Sequence, residues 1–188
     1  MKAIIEAIEH KRLDAKLAVL ISDRKNTECL ENAQKHNIPS FFIDPTEKER
    51  EAFDKEVAET LDQHSVDLVV MLGYMRIVSG WFVNRYKHKI MNIHPSLLPA
   101  FAGGMDRNVH QQVLDSGVKV TGCTLHFVEE SVDGGPIIMQ KTVDIEPNEN
   151  VDSLKAKVQR AEQEIIVRAI KLFGEGKIKV VDRQVIIA

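Results

Sequence analysis

Cysteine, charge imbalance and long apolar runs are all scarce in this chain, and each scarcity removes a class of function. Two cysteines, Cys29 and Cys123, stand in unrelated contexts without metal-ligand spacing. They read as free thiols in a reducing compartment rather than as a bridge or a metal site. Net charge is −3 and the pI is near 6.2, so there is no electrostatic footprint for nucleic acid, and a small anionic ligand has to be met by local groups. No apolar run approaches membrane-spanning length, and the start, Met1 to Glu9, is amphipathic and carries acids, unlike a signal peptide. The expectation is a cytoplasmic protein without membrane or nucleic-acid partners. No internal repeat, low-complexity segment or linker divides it.

What is present suits one folded domain over residues 1–188. At 44% hydrophobic and 28% charged, the chain can bury a full core and lacks the composition of disorder. Ala3, Ile4, Ala7 and Ile8 recur at helical spacing, so the chain begins inside a helix. Ala15 to Ile21 reads as a buried strand, Asn26 to Asn37 as a helix, and Pro39 to Ile43 as the next strand. Glu47 to His64 reads as a long helix whose charges form a solvated face. Val66 to Leu72 is a nearly continuous apolar run, the mark of a strand covered on both sides. Trp81, Phe82 and Tyr86 suit a short helix before another strand at Ile90 to Ile93.

Strands alternating with helices predict a Rossmann-like α/β fold, a mostly parallel sheet with helices on both faces. Beyond a helix at about Asp106 to Ser116, Lys119 to Val128 and Pro136 to Asp144 alternate as an antiparallel extension. A long helix from Asn150 to Phe173 follows, and two short strands, Ile178 to Val181 and Gln184 to Ile187, close the chain. In such a sheet ligands belong at the carboxyl ends of the strands.

Function is most legible where one of those ends runs into a proline-bounded loop, Lys89-Ile90-Met91-Asn92-Ile93-His94-Pro95-Ser96-Leu97-Leu98-Pro99-Ala100-Phe101. Asn92 and His94 share the parity of a period-two element, and Pro95 ends the ladder while keeping His94 extended. Asn offers two N–H donors and His either donates or accepts, which is what a site needs to bind a developing oxyanion and move a proton. A hydrogen-bonded structural histidine remains the plainer alternative. Asp133, ahead of Gly134 and Gly135, is a third candidate; from local sequence alone it reads first as a turn former.

The string Asn92-Ile93-His94-Pro95-Ser96-Leu97-Leu98-Pro99 resembles the signature of the folate-dependent formyltransferases. The likeness extends over nearly the whole chain, with Gly73-Tyr74-Met75-Arg76-Ile77, Gly117 to Val128, Val132-Asp133-Gly134-Gly135-Pro136-Ile137-Ile138 and Val158-Gln159-Arg160-Ala161-Glu162. It is strongest to the members that formylate glycinamide ribonucleotide in de novo purine synthesis. The resemblance implies transfer of a formyl group from 10-formyltetrahydrofolate, without a metal, to that small-molecule amine. It gives Asn92, His94 and Asp133 the catalytic roles. It gives folate contacts to Met75, Arg76, Ile77, Val78, Asn92, Val128, Glu129, Glu130 and Val132, and ribonucleotide contacts to Gly73, Pro95, Gln159 and Glu162. Arg76 could instead be a surface charge or face the folate's glutamate tail, and Gln159 and Glu162, one turn apart, would by themselves pass for helix-surface residues. Self-association is left open.

Two departures from the family pattern accompany the resemblance. Members begin with a strand and a Gly/Ser-rich loop that cradles the substrate phosphate, whereas Met1 aligns inside the helix that follows. A slot one strand wide is therefore expected between the strands around Ala15 to Ile21 and Val66 to Leu72, closed by their moving together, filled by another chain, or explained by a gene start farther upstream, and phosphate recognition is expected to suffer unless a partner restores the loop. The second departure, Phe101-Ala102-Gly103-Gly104-Met105-Asp106, is expected to alter a loop more than the chemistry. Two other readings are a related folate enzyme (a formyl-tetrahydrofolate hydrolase or transfer-RNA formyltransferase, each of which carries an extra domain) and a folate-binding module without activity.

Overall fold

Short apolar runs separated by amphipathic helices become strands here only where a neighbouring strand is available to complete their backbone hydrogen bonds. A computed structural model describes residues 1–103 and 106–188, and the side chains of all of these except 106–108. In chain order the elements are α1 (Lys2–Glu9), β1 (Leu20–Ser22), α2 (Glu28–Lys35), β2 (Ser40–Phe42), α3 (Arg50–Gln63), β3 (Val69–Met71) and α4 (Gly80–Arg85). Then come β4 (Ile90–His94), α5 (Asp106–Asp115), β5 (Val120–Phe127), β6 (Ile137–Asp144), α6 (Val151–Gly174), β7 (Ile178–Val181) and β8 (Gln184–Ile187).

β1 and β2 pair in parallel, as do β3 and β4, while β5 and β6 continue antiparallel from β4, giving the order β3-β4-β5-β6. Helices cover both faces. On one, Val109 and Val113 of α5 and Leu154, Val158, Ala161 and Ile165 of α6 pack with Ile4 and Ala7 of α1 onto Met91, Cys123, Leu125 and Phe127. On the other, Ala58 and Leu61 of α3 and Phe82 and Tyr86 pack with Ile90, joined by Val19, Ile21, Val69 and Met71. The α/β architecture with an antiparallel extension is thus present.

Three expectations need correction. The strand expected over Ala15 to Ile21 is confined to β1, and that over Val66 to Leu72 to β3, whose residues are half-buried rather than covered. The reason is pairing. β1 is bonded to β2 and β3 to β4, but among the described residues these two strands stand in separate sheets, so neither ladder has a second side. They have not moved together. Third, the charged helix is more than a solvated face, because Asp54 of α3 is only 2% exposed.

Long α6 starts on a reciprocal cap, in which the Asn150 side chain accepts from Ser153 N–H while the Ser153 hydroxyl accepts from Asn150 N–H. Its core stripe seats it along β5 and β6, and that fixes which flank faces the strand ends. Both cysteines are free thiols, and burial pushes that of Cys123 up to about 12.

Candidate active site

Proline ends β4, and the loop behind it is then fastened to β5 and β6. Leu98 N–H donates to Thr124 Oγ1 at 3.0 Å, the Thr124 hydroxyl donates to Ser96 O at 2.7 Å, and Gln140 Nε2 bridges Leu98 O and Thr124 Oγ1. Ser96 Oγ closes the turn onto Ala100 O at 2.6 Å. This brings Phe101 back over the strand end, where its carbonyl accepts from His94 Nε2 at 3.0 Å.

With Nε2 so engaged, His94 turns Nδ1 toward Asp133, 3.3 Å from Oδ2, and the contact is an ion pair when the ring carries both protons. Asp133 occupies a left-handed conformation, φ +52°, in the turn after β5, and its side chain is only 10% exposed. The backbone N–H of Gly103 donates to Oδ2 at 2.8 Å. A second imidazole completes the group. His126 of β5 lies opposite Asn92 in the antiparallel ladder; its Nδ1 donates to Phe127 O at 2.9 Å, which in the neutral ring leaves Nε2 to accept from Asn92 Nδ2 at 3.3 Å. Asp133 Oδ1 is 3.6 Å from that same Nε2. When its ring carries a second proton, His126 can instead donate from Nε2 to Asp133; that hydrogen bond foremost, then the Gly103 N–H and the charge of His94, hold the Asp133 carboxyl below its usual range, against the opposing effect of burial.

Asn92 and His94 therefore meet through Asp133 and His126 rather than directly. Sequence reasoning missed His126. A signal existed: Thr124 and His126 share parity within an apolar strand, so both polar side chains emerge on one side of it, as Asn92 and His94 do on β4. The stretch from Phe101 onward, expected to alter a loop more than the chemistry, adjoins the site through its backbone, where Phe101 O and Gly103 N–H touch His94 and Asp133; Gly104 and Met105 lie outside the described residues.

The group forms the floor of a cleft of about 570 Å³. One wall is the loop after β3, where Gly73, Met75, Arg76, Ile77 and Val78 line the opening. The opposite wall is Val128, Glu129, Glu130 and Val132, with Pro95 beside His94. Gln159 and Glu162 of α6 reach the same cleft, as do Tyr74, Ser131 and, unforeseen, Arg24 beyond β1. Every residue singled out in the sequence thus borders one space.

The loop after β3 is anchored from α3. Asp54 accepts from Ser79 N–H at 2.6 Å, Ser79 caps α4 through Phe82 N–H, and the Arg76 guanidinium lies 4.7 Å from the Phe53 ring centroid. Arg76 thus lies against the Phe53 ring at the wall of the cleft. Burial pushes the Tyr74 phenol up to about 12. Ile77 and Val132, 52% and 53% exposed, both line this cleft as apolar surface that a flat ligand would cover. Among the described residues no cluster of three or more His, Cys, Asp or Glu is arranged to hold a metal. No helix among them is long and apolar enough to cross a membrane.

Known proteins resemble this chain in sequence and in fold. The trifunctional purine biosynthetic protein adenosine-3 of Bos taurus is 41% identical over 95% of this chain, which spans 18% of that protein's length. Phosphoribosylglycinamide formyltransferase of Bacillus subtilis is 36% identical over 90% of this chain and 86% of its own. The crystal structure of glycinamide ribonucleotide transformylase 1 from Symbiobacterium toebii superposes with a TM-score of 0.93 at 41% identity, over 98% of this chain and 86% of that one. The Formyl transferase sequence profile matches residues 1–170, which include every residue lining that cleft, and the chain belongs to the formyl transferase family.

Proposed function

We propose that the protein transfers the formyl group of 10-formyltetrahydrofolate to the amine of glycinamide ribonucleotide, in the cytoplasm, as a step of purine synthesis. The observation that carries this reading is the Asn92–His126–Asp133–His94 group on the floor of a cleft with one apolar and backbone-lined end and one polar end. The pterin fits between the loop after β3 and Val128 to Val132, where Met75, Ile77 and Val132 offer apolar faces and main-chain groups offer polar edges. Gln159 and Glu162 then meet the ribonucleotide, beside Gly73 and Pro95.

The reaction needs an oxyanion stabilised and one proton moved. As the amine nitrogen attacks the formyl carbon, the carbonyl oxygen gains charge. Asn92 spends one amide N–H on His126 and has a second to give that oxygen. In its doubly protonated form His94 presents Nδ1–H to Asp133 at 3.3 Å, long for a charge-assisted bond, so that hydrogen can be shared with the oxyanion. Asp133, kept as a carboxylate, takes the proton of the new ammonium directly or through a water. The intermediate collapses by breaking the carbon–N10 bond as the Asp133 carboxyl gives that same proton, directly or through a water, to N10. Products are the formylated amine and tetrahydrofolate.

Turnover of the purified chain with both substrates tests the reading. Equimolar tetrahydrofolate and formylated ribonucleotide are expected. Formate released with the amine unconsumed would instead identify a hydrolase, and folate binding without either product a module lacking activity.

A further inference from the structure

The hairpin β7–β8 lies beyond the residues the family profile matches, and the reaction above gives it no part. It is nevertheless seated on the protein, with Ile178, Val180 and Val185 packed against the main core. Asp182 at its tip takes φ +54°, which tightens the reversal and presents the next residue, Arg183, to the Asp133 turn. Arg183 Nη2 donates to the carbonyl of Gly134 at 2.6 Å. A groove of about 580 Å³, with Leu98, Pro99 and Ile137 along it, separates hairpin from turn, and this hydrogen bond spans it.

The turn has reason to need such an anchor. Asp133 is followed by two glycines, the residues with the widest backbone freedom. Both are required by space: a Cβ on Gly134 would stand 2.2 Å from Ser131 Oγ, and one on Gly135 only 1.9 Å from Phe127 O. The catalytic carboxylate therefore hangs on a dipeptide with no side chain of its own to hold it in place. On the inner side it meets Gly103 N–H and the imidazoles at 2.8 to 3.6 Å. On the outer side Arg183 fixes the carbonyl of the glycine pair itself.

We infer that Arg183 is a positioning residue for formyl transfer: by pinning the Gly134 carbonyl from the terminal hairpin, it holds the Asp133 carboxylate within reach of His94 and His126. The inference rests on the role of Asp133 proposed above.

The full-length chain with Arg183→Ala, Arg183→Lys, Asp133→Asn, and Asp133→Asn combined with Arg183→Ala tests it. Arg183→Ala is expected to lower kcat by about three- to tenfold, the scale of one net hydrogen bond, with both KM values within about twofold. The acid limb of its kcat profile should move to higher pH, since a carboxylate farther from Gly103 and the imidazoles loses what keeps it ionised. Arg183→Lys keeps a donor and should recover part of the loss, and it carries the comparison if Arg183→Ala does not fold. In the Asp133→Asn background Arg183→Ala should cost nothing further. Unchanged kcat and pH profile in folded Arg183→Ala protein, or losses that multiply in the double variant, overturn the inference while leaving Asp133 catalytic. Full activity of Asp133→Asn overturns the reading of Asp133 itself.

Discussion

Asp54 in the middle of α3 accepts the backbone N–H of Ser79 at 2.6 Å, tying a surface helix to the far end of the loop that walls the cleft. A buried carboxylate is costly unless hydrogen-bonded, so this contact couples helix stability to loop position. Asp54→Ala should destabilise the protein by about 1.5–3 kcal/mol, the range for hydrogen bonds to charged groups, and weaken binding of a folate analogue in calorimetry. Asp54→Asn retains an acceptor and should lose less of both. Unaltered folate affinity in a destabilised Asp54→Ala protein would separate the helix from the cleft.

If main-chain groups recognise the pterin, as proposed, the same loop meets a different demand. Arg76→Ala should keep part of the folate affinity, because Arg76 stacks on Phe53 and supports the loop from behind. Inserting one residue between Tyr74 and Ile77 should abolish binding by displacing the backbone groups. Intact binding by the insertion variant would put the cosubstrate elsewhere.

His126 orients the Asn92 amide, so its loss should resemble a weakened Asn92 variant. His126→Ala is expected to reduce kcat by about tenfold or more while folate affinity changes little, as for loss of a preorganised donor. Steady-state rates at saturating substrates decide it, and a kcat equal to the parent's would leave the amide held by other groups.

The Asp133 carboxyl, held low by His126 foremost, contributes stability with a definite sign. Because its folded value lies below the unfolded one, that stability is fully present above the ordinary carboxylate value of about 3.9 and is lost as pH falls through the folded value. Denaturant midpoints measured from pH 5 downward should fall less steeply for Asp133→Asn than for the parent. Parallel curves would show that Asp133 is not held in its ionised form.

How much of this was visible in the sequence depended on whether the signal was local. Element types followed from periodicity, and β7 and β8 have the expected bounds, because each pattern depends on nearby residues. β1 and β3 are shorter than their apolar runs since a ladder also requires a partner, which periodicity does not report. Asn92, His94 and Asp133 could be singled out from short strings, whereas His126 and Asp54 bond to Asn92 and Ser79, 34 and 25 positions away. The left-handed turn at Asp133 was legible as a turn, but that its carboxylate faces inward depends on the packing of Gly135 against Phe127 O.

The most direct test of the central claim is single-turnover formyl transfer by Asn92→Ala and His94→Ala proteins, with folding and folate binding matched to the parent. If both groups donate to the oxyanion, each variant should bind folate as before and transfer the formyl group about a hundredfold more slowly or worse. Transfer at the parent's rate by either folded variant would contradict the account.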